Sequence, residues 1–270
     1  MKNMSEIQVI KRNGDREDLD IDKLHKVVFH ACDDITGVSP SQVEIKSNVQ
    51  FYNGITSEDI QETLIKSAAD LISEETPNYQ WVAGRLINYH LRKMVYNSYE
   101  PWHISRLIEV NTERGFYDPE LGSSYTEAEW DQLNNYMKHD RDNNIAYVGM
   151  EQFRGKYLVQ NRASGEIFET PQMAYMLIAA TLFSSYPAGT RMRWVKGYYD
   201  AISTFEISLP TPVMAGVRTP QRQFSSCVLI ETGDSLDSIN ATSSAVVKYV
   251  SQKAGIGIGA GCISSSLDIQ

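Results

Sequence analysis

The sequence predicts an α/β chain in which a mostly helical N-terminal region is followed by the opening of a parallel sheet. Three observations carry that expectation. An Asn-Gly pair inside a short apolar run starts the chain, and amphipathic helices follow it. Near the C-terminus an apolar strand, a helix and a second apolar strand succeed one another, the order that makes parallel neighbours. The 270 residues, 42% of them apolar and 22% charged, supply ample core for one or two globular domains and set the chain apart from disordered sequences.

Taken in order, Ile7 to Arg12, Asn13-Gly14 and Asp15 to Leu19 read as a hairpin. From Asp22, apolar Leu24, Val27, Val28 and Ala31 fall on one helical face. A second helix starts near Thr56 or Ser57, with Asp59 in its first turn, and runs through Ile60, Leu64 and Ala68. A third carries Tyr79, Val82, Ala83, Leu86, Ile87 and His90 and ends in basic Arg92 and Lys93. Residues 98 to about 155 are more polar, but Thr126-Glu127-Ala128-Glu129 matches a capping box and predicts a surface helix.

A second hairpin is expected from Lys156–Val159, Ser164-Gly165 and Glu166–Glu169. Thr170-Pro171 then introduces an apolar helix to Phe183, and another helix spans about Thr190 to Ser203. Beyond it, Ile207–Pro212, Phe224–Ile230 and Ala254–Gly261 read as strands. A helix lies between the last two with Ile239, Ala245, Val246 and Tyr249 inward. Both strands are expected to be buried on two faces.

Several classes of function are disfavoured. The net charge of −9 argues against a broad phosphodiester-binding surface, so no nucleic-acid partner is expected. The longest strongly apolar run, Met173–Phe183, has eleven residues, short of the roughly 20 that span a bilayer. Residues 1–6 lack an apolar leader, so a cytoplasmic, reducing setting is expected. Cys32, Cys227 and Cys262 are then not a disulfide framework, and no metal-ligand spacing is present.

Four groups of residues invite a chemical reading. Lys11 and Arg12 with Lys23, Ser57 and Lys93 could hold a triphosphate through charge-assisted donors, or they are ordinary solvated charges. Cys227, in an apolar strand, is a buried small hydrophobe or half of a redox pair whose second thiol is not nearby in sequence. Gly233-Asp234-Ser235-Leu236-Asp237-Ser238 suits a nucleoside or a plain N-cap. Gly255 to Gly261 satisfies a dinucleotide-binding pattern only formally, and close approach of backbone to a ligand or strand accounts for its glycines.

Together these blocks resemble one family, the large (α) subunit of class Ia ribonucleoside-diphosphate reductase of the bacterial and bacteriophage type. The resemblance is carried by Val9–Gly14, Gln50–Ile55, Lys156–Arg162, Ile207–Pro212, Gly216–Pro220, Arg222–Glu231, Gly233–Ser244 and Gly255–Ile258. It implies an N-terminal, mostly helical ATP-cone over residues 1–97, a helical region over 98–203, and the first part of a ten-stranded α/β barrel over 204–261. A tail at 262–270 follows no family pattern.

In the cone, the resemblance implies that Lys11, Glu17, Lys23, Ser57 and Lys93 hold ATP or dATP. Ser57 stands where relatives often have Thr, and Gln61 where His is common. In the barrel it implies Thr211, Ser226 and Gly255 at the substrate diphosphate or sugar, and Asp234, Ser235 and Leu236 at a dNTP specificity site on the large-subunit dimer interface. Cys227 would be the redox-active cysteine, its partner thiol lying elsewhere. The implied partners are a small (β) subunit with its di-iron tyrosyl radical, and thioredoxin or glutaredoxin as reductant, with no cofactor bound covalently.

Past Gly261 the pattern departs: Ser264 stands in place of an effector-binding Arg, and Cys262 matches no family cysteine. The expectation is therefore an N-terminal component of a split large subunit, active once assembled with a C-terminal chain. A non-catalytic nucleotide sensor and an intein-bearing stub beginning at Cys262 are the alternatives.

Overall fold

The computed structural model describes residues 7–263. Residues 1–6, which bear on the leader, and the tail from Ser264 lie outside the described residues. In chain order the first elements are β1 (Gln8–Ile10), β2 (Arg16–Asp18), α1 (Ile21–Cys32), α2 (Pro40–Asn48), β3 (Ile55–Thr56), α3 (Ser57–Ala69) and α4 (Tyr79–Tyr96). Next come α5 (Ile104–Glu113), α6 (Glu127–Tyr136), α7 (Tyr147–Gln152), β4 (Gln160–Asn161), β5 (Glu166–Ile167), α8 (Pro171–Phe183) and α9 (Ala188–Ser203). The last are α10 (Thr211–Gly216), β6 (Cys227–Glu231), α11 (Leu236–Ser251) and β7 (Gly255–Gly259).

These elements form two compact units, each built from separated segments. Among the described residues, one comprises 7–103 with Met137–Gln172; the other comprises Ile104–Tyr136 with 173–263. This is not the linear division expected at residues 97 and 203, because the segment from Met137 returns to pack on α4, through the 3-10 turn His139–Asn144, α7 and β5.

In the first unit the expected hairpin is present. Val9 stands opposite Glu17, and the loop closes with Lys11 N donating to Asp15 O at 2.8 Å. Gly14 takes φ +88°, where a side chain would be strained. On the other edge of β1 lies β3 in parallel, a strand of two residues with no alternating pattern to reveal it in the sequence. The Asp20 side chain caps α1 by accepting from Lys23 N, and Thr56 caps α3 by accepting from Asp59 N. α2 is a helix the periodicity did not predict. It starts at Pro40 and buries only Val43 and Ser47, too narrow a stripe to read.

α4 is the central rod of this unit. Val82, Ala83, Gly84, Leu86, Ile87, Asn88, His90 and Leu91 are all buried, and α1, α3 and α7 pack around it. Its last turn passes Lys93 into Asn97, which ends the helix at φ +53°. The expected hairpin around Ser164-Gly165 exists with a shorter and later register, Gln160 opposite Ile167 and Asn161 opposite Glu166. The preceding Phe153–Tyr157 winds as a π-helix instead of a strand, its Phe153 ring buried and edge-on to Tyr157.

In the second unit, α5 occupies a stretch that its composition marked only as polar, burying Ile104, Leu107 and Ile108. α6 begins where the capping box places it. Thr126 N donates to Glu129 Oε2 at 2.9 Å, and Glu129 N donates back to Thr126 Oγ1 at 3.3 Å. The same carboxylate takes Arg191 of α9 as a two-pronged ion pair at 2.8 and 2.5 Å, and the guanidinium lies 4.3 Å from the Tyr125 ring centre.

The Arg191 hydrogen bonds hold Glu129 down at a pKa of about 2, below its usual 4.5. A depressed carboxylate stabilises the fold above the unfolded pKa and loses that contribution as pH falls towards 2. Glu129→Gln is expected to lower stability by about 1–2 kcal/mol at pH 7, less than the full shift because water reaches one side of the pair. Denaturant unfolding should show the difference between variant and wild type shrinking between pH 4.5 and 2.

Ile207–Pro212 forms no strand. Pro210 and Pro212 lack the N–H that a ladder needs, and Pro212 instead sits in the first turn of α10. β6 and β7 pair in parallel with Cys227 opposite Gly255 and Glu231 opposite Gly259, α11 crossing between them. The sheet is not buried on two faces as expected, since Leu229 is 87% and Ile258 54% exposed. On α11, Ile239, Ala245 and Val246 are only half-buried and Tyr249 is exposed; the buried side chain is Thr242, bonded to Thr232 at 3.0 Å. Two strands have too few neighbours to cover this helix and its sheet.

Candidate functional site

All five residues expected at the nucleotide site of the cone line one cavity of about 730 Å³. The hairpin supplies Lys11, Arg12 and Glu17, the start of α1 supplies Asp20 and Lys23, α3 supplies Ser57 and Gln61, and the last turn of α4 supplies Lys93. Local folding rules place them there. The Asn13-Gly14 turn folds Lys11 back towards Glu17, and the Asp20 and Thr56 caps begin α1 and α3 at the cavity wall. Its apolar lining is Val9, Leu19, Leu24, Val27, Ile60 and Leu64. A greasy floor with a charged rim in this size range is what a small amphipathic ligand needs.

The charges are arranged with cations in excess. Lys11 Nζ bonds Glu17 at 2.8 Å, which holds that carboxylate below its ordinary pKa. Lys23 reaches Asp20 at 3.3 Å. Lys93 Nζ rests 4.2 Å from the centre of the Tyr99 ring, and burial, then Arg12 and Lys11, pulls its pKa down. An anion entering among Lys11, Arg12 and Lys93 would relieve that mutual repulsion.

A second concavity of about 870 Å³ adjoins the first, sharing Lys11, Lys23, Val27, Lys93 and Tyr99 with it. It adds Lys26 and His30 of α1 with Arg85, Tyr89 and Arg92 of α4. Residue-by-residue reading missed this extension and Tyr99. The signal was helical spacing: 23, 26 and 30 share one face of α1, and 85, 89 and 92 one face of α4.

In the second unit, Ser226, Cys227 and Gly255 come together at the start of the parallel pair, where Gly255 N donates to Ser226 O at 2.7 Å. Cys227 is exposed, against the reading of a buried small hydrophobe, and Ser226 Oγ stands 3.8 Å from its sulfur. Thr211 opens α10 and is half-buried. Ser235 is the N-cap of α11, accepting from Ser238 N at 3.2 Å, while Leu236 beside it is 65% exposed. The strand glycines have a packing reason: a Cβ at Gly257 would strike Leu229, and one at Gly259 the Glu231 carboxylate. Among the described residues no helix is long and apolar enough to cross a membrane.

Residues 7–94 match the ATP cone domain, and residues 143–222 match the all-alpha domain of ribonucleotide reductase. The chain is thus an ATP cone followed by a reductase helical domain. It is similar to the alpha subunit of ribonucleoside-diphosphate reductase 1 of Escherichia coli K12, at 56% identity over 94% of this chain and 34% of that protein. The alpha subunit of Haemophilus influenzae is 54% identical over 95% of this chain and 34% of its own length, and that of Enterobacteria phage T4 46% over 96% and 34%.

The chain belongs to the class Ia ribonucleotide reductase large-subunit family and corresponds to the N-terminal region of that subunit. It spans about a third of the length of the curated relatives it matches.

Proposed function

We propose that this chain is the effector-sensing part of a ribonucleoside-diphosphate reductase large subunit and contributes one redox thiol and part of the substrate site. The observation that carries the reading is the convergence of Lys11, Glu17, Lys23, Ser57 and Lys93 on one cavity. ATP or dATP binds there with its phosphates among Lys11, Arg12 and Lys93 and its base against the apolar floor. Ser57, at the first turn of α3, offers a hydroxyl at the positive end of the helix dipole.

In the second unit, Ser226, Gly255 and Thr211 hold the diphosphate or sugar of a ribonucleoside diphosphate. Asp234, Ser235 and Leu236 contribute to a dNTP specificity site between large subunits. Reduction of the ribose takes two electrons: Cys227 and a second thiol lose two protons and two electrons as they close a disulfide, and the 2′-oxygen leaves as water. Thioredoxin or glutaredoxin then returns the disulfide to thiols.

The second thiol and the residues that begin radical chemistry belong to the rest of the barrel, in this polypeptide or in a companion chain. The uncovered Leu229 and Ile258 mark where that part packs. A small subunit with a di-iron tyrosyl radical supplies the oxidising equivalent, in the cytoplasm.

Calorimetric titration of the chain with dATP and ATP tests the core of this reading. Saturable binding in the micromolar range, on the order of −8 kcal/mol, is expected. Absence of heat with both nucleotides would remove it. Binding that persists in a fully assembled enzyme without turnover of CDP would favour the non-catalytic sensor.

A further inference from the structure

Behind the nucleotide cavity lies a charged cluster with no role so far. Glu62 follows cavity residue Gln61 on α3, and His90 precedes cavity residue Lys93 by one turn of α4. His90 Nε2 stands 3.6 Å from Glu62 Oε1, its ring is 3% exposed, and its Nδ1 has no hydrogen-bond partner. Burial lowers the pKa of this imidazole, with Glu62 opposing and Arg12 adding to the effect. The Glu62 carboxylate is also held by a permanent cation.

That cation is Arg154. Its guanidinium donates to Glu62 at 2.7 and 3.4 Å and to Glu151 Oε2 at 2.9 Å, with Glu151 Oε1 at an ion-pair distance of 2.8 Å and the Arg154 side chain only 24% exposed. Arg154 lies in the π-helical Phe153–Tyr157 stretch, directly after α7, and both belong to the matched reductase helical domain. Glu62 belongs to the matched cone. A forked, partly dehydrated ion pair therefore joins the wall of the cavity to the neighbouring domain, where such pairs count for more than on an open surface.

We propose that Arg154 is a positioning residue that ties occupancy of the cone cavity to the segment 147–157. Ser57, Ile60, Gln61 and Leu64 line the cavity on one side of α3, while Glu62, which does not line it, is held by Arg154. Ile60, Leu64, Ile65 and Ala68 are buried, so α3 shifts as a rod and passes any displacement to the Arg154 fork. A π-helical turn, with its looser backbone bonding, is a suitable element to take up that displacement.

This inference rests on the nucleotide reading, and hydrogen–deuterium exchange of the whole chain with and without saturating dATP separates the two. In wild type, dATP should slow exchange across residues 147–157 by about fivefold or more, the lower end of ordinary coupling. Arg154→Gln should abolish that slowing while its dATP affinity stays within about threefold of wild type, and Arg154→Lys should restore part of it. If Arg154→Gln merely raises basal exchange and still responds to dATP, or if wild type binds dATP without slowing, the proposal is overturned and the cavity reading survives. No dATP binding by wild type overturns both.

Discussion

Alanine at Gly84 is expected to cost about 2–4 kcal/mol, although alanine is the better helix former by about 1 kcal/mol. Gly84 lies mid-helix in α4, buried, where the backbone at Ile145 and Ala146 crosses it. A Cβ there would collide with the carbonyl oxygen of Ile145 and stand 3.3 Å from its carbon and 3.2 Å from the Ala146 carbon. These are backbone atoms and cannot rotate aside, so either α4 or the returning segment must move.

The control is Gly197→Ala in α9, where a Cβ meets nothing within 4 Å. That change should stabilise by about 0.5–1 kcal/mol. Thermal unfolding of the two variants should therefore shift in opposite directions. A neutral Gly84→Ala would mean that the residues after Met137 do not close on α4 as described.

Removal of the cavity's cations has the second large effect. Lys11→Ala and Lys93→Ala should each weaken dATP binding about 10- to 100-fold, from the loss of one charge-assisted contact worth about 1.5–3 kcal/mol. The Lys11 variant also frees Glu17 inside the cavity, adding an uncompensated carboxylate next to the phosphates. It should be the more damaging of the two. Titrations at increasing salt should show a shallower dependence in both variants, since each has one fewer cation to neutralise. Lys138→Ala, on a residue outside the cavity, should leave affinity unchanged.

What the sequence revealed and what it hid follow from range of interaction. The hairpin, the caps at Thr56 and Thr126, and the amphipathic helices are decided within a few residues, and they appear where local rules place them. The cavity was legible as a set of residues because a family resemblance joined Lys11 to Lys93 across 82 positions. Spacing alone left those lysines as solvated charges.

The two-residue β3, the π-helical 153–157 stretch and the return of residues 137–172 onto α4 depend on contacts made late in the chain, so no local pattern announces them. The strand expected at Ile207–Pro212 failed for a local reason that was present in the sequence, its two prolines. Cys227 was ambiguous because an apolar strand reads as buried. Here, among the described residues, β6 pairs with β7 alone and Cys227 is exposed.

A crystal structure of the chain grown with dATP would show whether the cavity between the hairpin and α4 holds the nucleotide. A triphosphate is expected with oxygens about 3 Å from Lys11 and Lys93 Nζ, Lys93 drawn off the Tyr99 ring, and the base among Val9, Leu24 and Ile60. Nucleotide density elsewhere on the chain, with this cavity empty at saturating dATP, would contradict it.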